Sequence, residues 1–325
     1  MLLDNHGRPI QYVRLAVTDR CNLRCFYCMP AEGISFLKKH EILSYEEIIR
    51  LLTILADLGI SKVRLTGGEP FIRKDFMALL ARIQQIPGIE HIHLTTNGTL
   101  TAPHIPELKA LGVRSVNLSL DSLDRQAFFQ MTRRDELPLV LDTFHRLLKA
   151  DIPTKINAVV MAGKNDDQII PLALLAQDHP VSVRFIEEMP FNGAGGNDAF
   201  LSHIRILERL QAAFPAITPL PFEPSATASR FVIPGFQGEL GIIAAFSRTF
   251  CGTCNRIRIT ATGQLKTCLY DEGVGSVRDI LRQTPDTEPI RKFLLQHLGQ
   301  RPRDGFEAEQ NRSTLVSESM TTIGG

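Results

Sequence analysis

From residue 13 to about 215 the chain alternates between short β-rich runs and helical patterns of ten to fifteen residues. This restricts it to repeated βα units around a parallel sheet. Six units can be traced, with strands expected over 13–17, 62–65, 91–95, 115–120, 155–161 and 182–186. The intervening segments carry helix signals. In SYEEIIRLLTILADLG, Ser44 is the N-cap, Glu47 completes a capping box and Gly59 supplies the C-terminal stop. Right-handed crossovers wind such units into a barrel or partial barrel whose functional loops lie at the C-terminal ends of the strands. Six units leave it open. After residue 214 the prolines at 215, 219, 221, 224 and 234 mark a crossing into a second region, with strands expected over 241–246 and 256–260 and a helix over 288–298. The expected fold is α/β: a partial (β/α)6 TIM-like barrel over 1–214, its open side closed by a C-terminal extension over 215–325.

Composition narrows the partners. Of 325 residues, 44% are hydrophobic and 22% charged, enough to bury a sizeable core. A net charge of +1 gives no long-range field for nucleic acid or an anionic membrane, so an anionic ligand must be held by a local group of Arg and Lys. The N-terminal residues lack the apolar core of a signal peptide, and no apolar run is long enough to span a bilayer. A cytoplasmic chain with reduced thiols and no membrane partner is expected.

All six cysteines fall into two trios. Cys21, Cys25 and Cys28 form CNLRCFYC directly after the first expected strand, and Cys251, Cys254 and Cys268 lie in CGTCNRIRITATGQLKTC. Neither trio has a fourth Cys or a well-spaced His, so a closed tetrahedral zinc site is disfavoured. Soft thiolates at this spacing suit iron–sulfur ligation, and three ligands leave one metal position open for chemistry.

Other motifs fall at the same strand ends. RLTGGEPFIR places Thr66, Gly67, Gly68, Glu69 and Pro70 after the second strand, and two glycines allow close backbone approach. Thr95 to Gly98, Ser119, Asp121 and Met189 follow later strands. Singly these are ordinary turn signals; at one end of successive strands they form a pocket rim. Arg14, Arg64, Lys155 and Arg184 lie on the strands, and Arg256 and Arg258, two residues apart, face one side of theirs. Such a converging set suits a triphosphate.

Cys-x3-Cys-x2-Cys with an aromatic before the last cysteine resembles the signature loop of the radical S-adenosylmethionine superfamily. TDRCNLRCFYCMP, RLTGGEP, TTNG, RFIEEMP, FCGTCNRIRIT and the final IGG together resemble, over nearly the whole chain, its GTP 3′,8-cyclase family of molybdenum cofactor biosynthesis. The resemblance implies a barrel of radical SAM type and two [4Fe-4S] clusters, held by Cys21, Cys25 and Cys28 and by Cys251, Cys254 and Cys268. It places S-adenosylmethionine near Tyr27, Gly68, Ser119 and Met189, and GTP against Arg14, Arg64, Thr95, Lys155, Arg256 and Arg258, a set that Arg184 joins by its place on the sixth strand. It implies hydrogen abstraction at ribose C3′, bonding of C3′ to guanine C8, and 3′,8-cyclo-7,8-dihydro-GTP as product. Arg256, Arg258 and a double-glycine tail, Gly324 and Gly325, are implied to support catalysis. The residues before that tail, SESMTTIGG, depart from the family by lacking an aromatic ahead of Ile323. Implied partners are GTP, an external electron donor and a downstream cyclic pyranopterin monophosphate synthase, with a homodimer as the possible assembly. Two alternatives stand at this point. One is a peptide-modifying radical enzyme, whose extensions usually carry more cysteines than the three here; the other is an iron–sulfur electron carrier or sensor, which leaves GGEP and the arginines without a role.

Overall fold

The computed structural model describes residues 2–189, 200–313 and 319–324. Its first six strands are β1 (Tyr12–Ala16), β2 (Lys62–Thr66), β3 (His91–Thr96), β4 (Ser115–Ser119), β5 (Thr154–Val160) and β6 (Ser182–Glu187), each within one residue of the sequence expectation. They pair in chain order, all parallel. Helices follow each strand on the outer face. The helix Tyr45–Asp57 starts as expected, with Ser44 Oγ accepting from the Glu47 amide at 3.2 Å and Glu47 Oε2 accepting from the Ser44 amide at 2.7 Å.

The C-terminal region extends this sheet at both edges. After the short β7 (Thr218–Pro219) and β8 (Ser229–Val232), β9 (Glu239–Ile243) lies parallel to β6, while β10 (Arg256–Ile259) lies parallel to β1. β8 then covers β9, and β11 (Gln264–Lys266) covers β10, both antiparallel, with β12 (Gly275–Ser276) outermost. The result among the described residues is one open twelve-stranded sheet in the order β12-β11-β10-β1-β2-β3-β4-β5-β6-β9-β8-β7. The strand expected over 241–246 begins and ends earlier, because Ala244 and Ala245 already turn toward the second cysteine loop, where the Arg248 amide bonds to the Ala244 carbonyl. The helix expected over 288–298 is present as Glu288–Leu298.

Alternation along the strands separates the two faces. Val13 and Leu15, Val63 and Leu65, Val116 and Leu118, Ile156 and Ala158, Val183 and Phe185, and Ile257 and Ile259 point outward into apolar layers against the helices. Their neighbours at the other parity, including Arg14, Arg64, Asn117, Lys155, Arg184 and Arg258, face inward. A packed barrel fills that interior with branched apolar side chains. Here charged and polar side chains from the strands line a cavity of about 570 Å³. No described helix is long and apolar enough to cross a membrane.

Phe185 is fully buried in the second apolar layer. Phe185→Ala should lower stability by about 3–5 kcal/mol through lost burial and the cavity left behind, measured as an earlier midpoint in urea unfolding.

Candidate functional site

β1 and β10 run in the same direction, with Tyr12 opposite Arg256 and Arg14 opposite Arg258. The first cysteine loop leaves the C-terminal end of β1, whereas Cys251 and Cys254 lead into the N-terminal end of β10. Parallel pairing therefore puts the two trios at opposite ends of one strand length, roughly 16 Å for five residues. All six thiols line the same cavity.

The first loop is fixed from several sides. Gly67 and Gly68 bring the end of β2 against it: the Gly68 amide donates to the Thr18 carbonyl and the Glu69 amide to the Arg20 carbonyl, both at 2.8 Å. A Cβ at Gly67, whose φ is +132°, would lie 2.2 Å from the Thr18 carbonyl oxygen, and one at Gly68 2.1 Å from that of Arg20. Only glycine fits such an approach. Asn97 Nδ2 donates to Cys21 Sγ at 3.6 Å, and the Tyr27 hydroxyl donates to Asp121 Oδ2 at 2.9 Å. Glu69 is wholly buried and accepts from the Thr96 hydroxyl and the Asn97 amide, while burial still pushes its carboxyl up to about 7. The segment near the C-terminus closes over this loop, with Ser319 Oγ donating to the Cys28 carbonyl at 2.9 Å.

Within the second trio, Cys254 lies in a different field. Burial pushes the Cys21 thiol up to about 11 and those of Cys28 and Cys268 up to about 12. Burial also raises Cys254, but the guanidiniums of Arg256 and Arg301 outweigh it and bring this thiol down to about 6. Among the described residues no three His, Cys, Asp or Glu side chains form a single-ion site. The trios therefore do not make a preset mononuclear zinc centre. Each lines a wall with open cavity beyond it, and three thiols of this kind are a donor set that would suit an iron–sulfur cluster, leaving one metal position without a cysteine ligand.

Between the trios the cavity wall is cationic. Arg258, Arg14 and Arg64 stand in one register row across β10, β1 and β2, and Arg256, Tyr12 and Lys62 in the next. Lys155 and Arg184 face them from β5 and β6. Burial and then the neighbouring cations depress Lys155 to about 8 and Arg184 and Arg258 to about 10. Burial raises the Tyr12 phenol, yet Arg64 and Arg14 outweigh it and lower it to about 7, with Arg64 Nε donating to its oxygen at 2.6 Å. Among the described residues Lys62, Arg64, Lys155, Arg184, Arg256 and Arg258 form no salt bridge to a carboxylate; Glu239, whose charge Lys155 and Arg184 feel, is bridged to Arg230 at 3.3 Å. Buried Thr95 Oγ1, Asn117 Oδ1 and Asn157 Oδ1 have no hydrogen-bond partner. Such atoms are rare unless a ligand or water meets them. The wall is built to receive a polar, strongly anionic molecule.

The structure brings Tyr27, Gly68, Thr95, Ser119 and Met189 to this cavity together with the cations and cysteines. Met189 Sδ accepts from the Tyr270 hydroxyl at 3.2 Å. Gly324 lies against the ends of β1 and β2: its carbonyl accepts from Arg258 Nη1 at 2.8 Å, and at φ +75° an added Cβ would lie 2.5 Å from Thr66 Cγ2 and 3.4 Å from Ala16 Cβ. Gly325 lies outside the described residues. Tyr12, Lys62, Asn117 and Asn157 were not singled out from the sequence, although each shares the inward parity of a residue that was: Arg14, Arg64, Ser119 and Lys155 respectively.

Residues 15–176 match the model of the radical SAM superfamily, and residues 181–306 match that of Molybdenum Cofactor Synthesis C. A GTP 3′,8-cyclase from Thermodesulfovibrio yellowstonii is 40% identical over 99% of both chains. Molybdenum cofactor biosynthesis protein 1 from Mus musculus is 40% identical over 99% of this chain but 51% of its own length, so the chain spans about half of that relative. Among solved structures, Streptococcus suis SuiB bound to S-adenosylmethionine shares the fold, with a TM-score of 0.63 and 16% identity over 88% of this chain and 68% of that one. With its cysteine loop, its glycine approach and its full-length likeness to the bacterial enzyme, the chain belongs to the GTP 3′,8-cyclase family of the radical SAM superfamily.

Proposed function

We propose that this chain converts GTP to 3′,8-cyclo-7,8-dihydro-GTP, the first step of molybdenum cofactor biosynthesis. The observation that carries the reading is the inward set Lys62, Arg64, Lys155, Arg184, Arg256 and Arg258, which among the described residues forms no salt bridge to a carboxylate, with the unpartnered Thr95, Asn117 and Asn157 atoms, between two thiol trios. Cys21, Cys25 and Cys28 would hold the cluster on which S-adenosylmethionine sits, near Tyr27, Gly68, Ser119 and Met189; Cys251, Cys254 and Cys268 would hold a second [4Fe-4S] cluster. When bound, the first cluster and S-adenosylmethionine supply a carbon-centred radical able to take one hydrogen atom from an unactivated C–H bond.

The chain's own residues do the rest by position. Arg14, Arg64, Arg256 and Arg258, with Lys62, Lys155 and Arg184, hold the triphosphate through charge-assisted bonds. That grip places the ribose between the two ends of β1, so that a single C–H bond meets the radical and guanine C8 lies within reach of C3′. Arg258, by holding the Gly324 carbonyl, ties the triphosphate wall to the chain segment that closes over the first loop. A substrate filling the cavity would leave little room for water beside the reacting bond, which protects a radical from quenching. The substrate gives up one hydrogen atom to 5′-deoxyadenosine and regains one electron and one proton, and releasing the radical from S-adenosylmethionine takes a further electron; an external donor therefore supplies two single electrons per turnover, and the product passes to a downstream cyclic pyranopterin monophosphate synthase. A peptide substrate or a pure electron carrier would leave the cation wall without a role.

Anaerobically reconstituted protein given reductant and S-adenosylmethionine should release 5′-deoxyadenosine strongly with GTP and weakly with ATP or no nucleotide, and mass spectrometry after chromatography should find a product isomeric with GTP but eluting apart from it. Release that ignores GTP would reassign the substrate. Changing Cys251, Cys254 and Cys268 together to Ala should reduce iron from about eight to about four atoms per chain, two four-iron clusters becoming one, and abolish cyclisation while the first cluster's spectrum persists. Retained cyclisation would remove the second centre from the reaction. GTP affinity should also fall with pH: Lys155 loses its charge above about 8 and Tyr12 gains one above about 7. Calorimetric titration at pH 7 and 9 should show at least about a tenfold loss, the linkage of one proton-coupled charge, and Lys155→Arg and Tyr12→Phe should each flatten the profile.

A further inference from the structure

Behind the second trio lies a group of buried charges that the substrate wall does not use. Asp4, Arg8 and Arg301 are 7%, 7% and 4% exposed. The turn that carries Asp4 is closed by the Leu3–Pro9 bridge. Asp4 Oδ2 accepts from Arg8 Nε at 2.7 Å and from Arg301 Nη1 at 3.0 Å. The two guanidiniums then reach the cysteine loop. Arg8 Nη1 donates to the Cys251 carbonyl and Arg301 Nη1 to that of Cys254, both at 3.3 Å. Arg301 Nη2 lies 3.8 Å from Cys254 Sγ and also donates to the carbonyls of Arg256 at 3.0 Å and Thr267 at 2.9 Å.

Two guanidiniums share one carboxylate, which leaves positive charge buried against Cys254. An uncompensated charge in such a place is costly unless a negative partner completes it. A metal-bound thiolate is that partner. The planar fork of Arg301 has every nitrogen engaged, since Nε also donates to the Thr267 carbonyl at 3.2 Å; Nη2, with two hydrogens for three acceptors, shares one between a carbonyl and Cys254 Sγ, so the fork is held beside the sulfur.

We propose that Arg301, aligned by Asp4, is a positioning residue that donates a hydrogen bond to the Cys254 thiolate and raises the reduction potential of the cluster held by the second trio. This rests on the two-cluster reading above. A donor and a positive charge at a ligand sulfur stabilise the reduced, more negative cluster over the oxidised one. A guanidinium that served only to pack the loop would affect iron retention or melting and leave the potential in place.

The test is an electron-paramagnetic-resonance redox titration of the reconstituted full-length chain, with iron counted per chain. A variant with Cys21, Cys25 and Cys28 changed to Ala isolates the second cluster's signal. Arg301→Met should keep both clusters and move the second cluster's midpoint to a more negative value, with the first cluster's unchanged. Arg301→Lys, which keeps the charge, should move it less. Asp4→Asn should move it in the same negative direction, because the carboxylate acts by aligning Arg301. An Asp4→Asn shift to positive values would mean that Asp4 acts as a bare charge, and would overturn the alignment. An unmoved potential in Arg301→Met at full iron content, or equal shifts at both clusters, would overturn the proposal while leaving the cyclase reading intact. Should Arg301→Met lose the second cluster, Arg301→Lys and Asp4→Asn carry the same test. A wild-type chain with iron for one cluster alone would overturn both readings.

Discussion

The parallel pairing of β10 with β1 is the contact on which the rest of the site depends. β10 follows β1 by about 240 residues of chain, yet Ile257 and Ile259 continue the apolar layer of Val13 and Leu15 without a break. An antiparallel β10 would have carried Cys251 and Cys254 to the same end as the first trio. Parallel pairing instead sets the trios facing each other along the strand axis, with the substrate wall between them. It also brings Arg258 beside Arg14, which in turn lies beside Arg64. Like charges opposite one another destabilise a sheet, and this row persists because strongly packed apolar residues at the other parity hold the same three strands.

The inner face makes a general point about parallel sheets. Strands buried on both faces usually read as continuous apolar runs. Here KVRLT, SVNLS, TKINAVV, SVRFIE and RIRI alternate. The alternation hollows the barrel: each polar side chain that turns inward replaces a branched apolar one and leaves volume. The cavity of about 570 Å³ falls within the range of small-molecule sites. Burial first and then the repulsion of neighbouring cations depress Lys155, Arg184 and Arg258, and an anionic partner offsets both.

Much of this was legible in the sequence, and the remainder was hidden for identifiable reasons. The six strands, the helix over 288–298 and both cysteine loops follow from local patterns: periodicity, caps and spacing. Tyr12, Lys62, Asn117 and Asn157 were readable in principle, because strand parity places each beside a residue already marked. Placing β9 beside β6 and β10 beside β1 was not legible, since sheet order beyond the βα repeat is a matter of tertiary packing. Asp4 and Arg301 were hidden more deeply. They are 297 residues apart, and nothing near either one signals a buried pair.

The two trios also differ in the charges that surround them, and this bears on how electrons distribute between them. Carboxylates face the first: Glu69 raises Cys21 and Asp121 raises Cys25, each after the larger effect of burial. Guanidiniums face the second, where Arg256 and Arg301 overcome burial at Cys254. Negative charge added at the first site meets negative neighbours in a low-dielectric wall, and at Cys254 it meets positive ones. Identical cysteine counts on one chain thus give two centres that differ at one ligand, Cys254, which guanidiniums favour as thiolate, while burial and neighbouring carboxylates raise Cys251 and Cys268 as they do the first trio. The difference is set by residues outside both motifs, from the glycine-bearing end of β2, the end of β4, the inward face of β10 and the loop that carries Arg301.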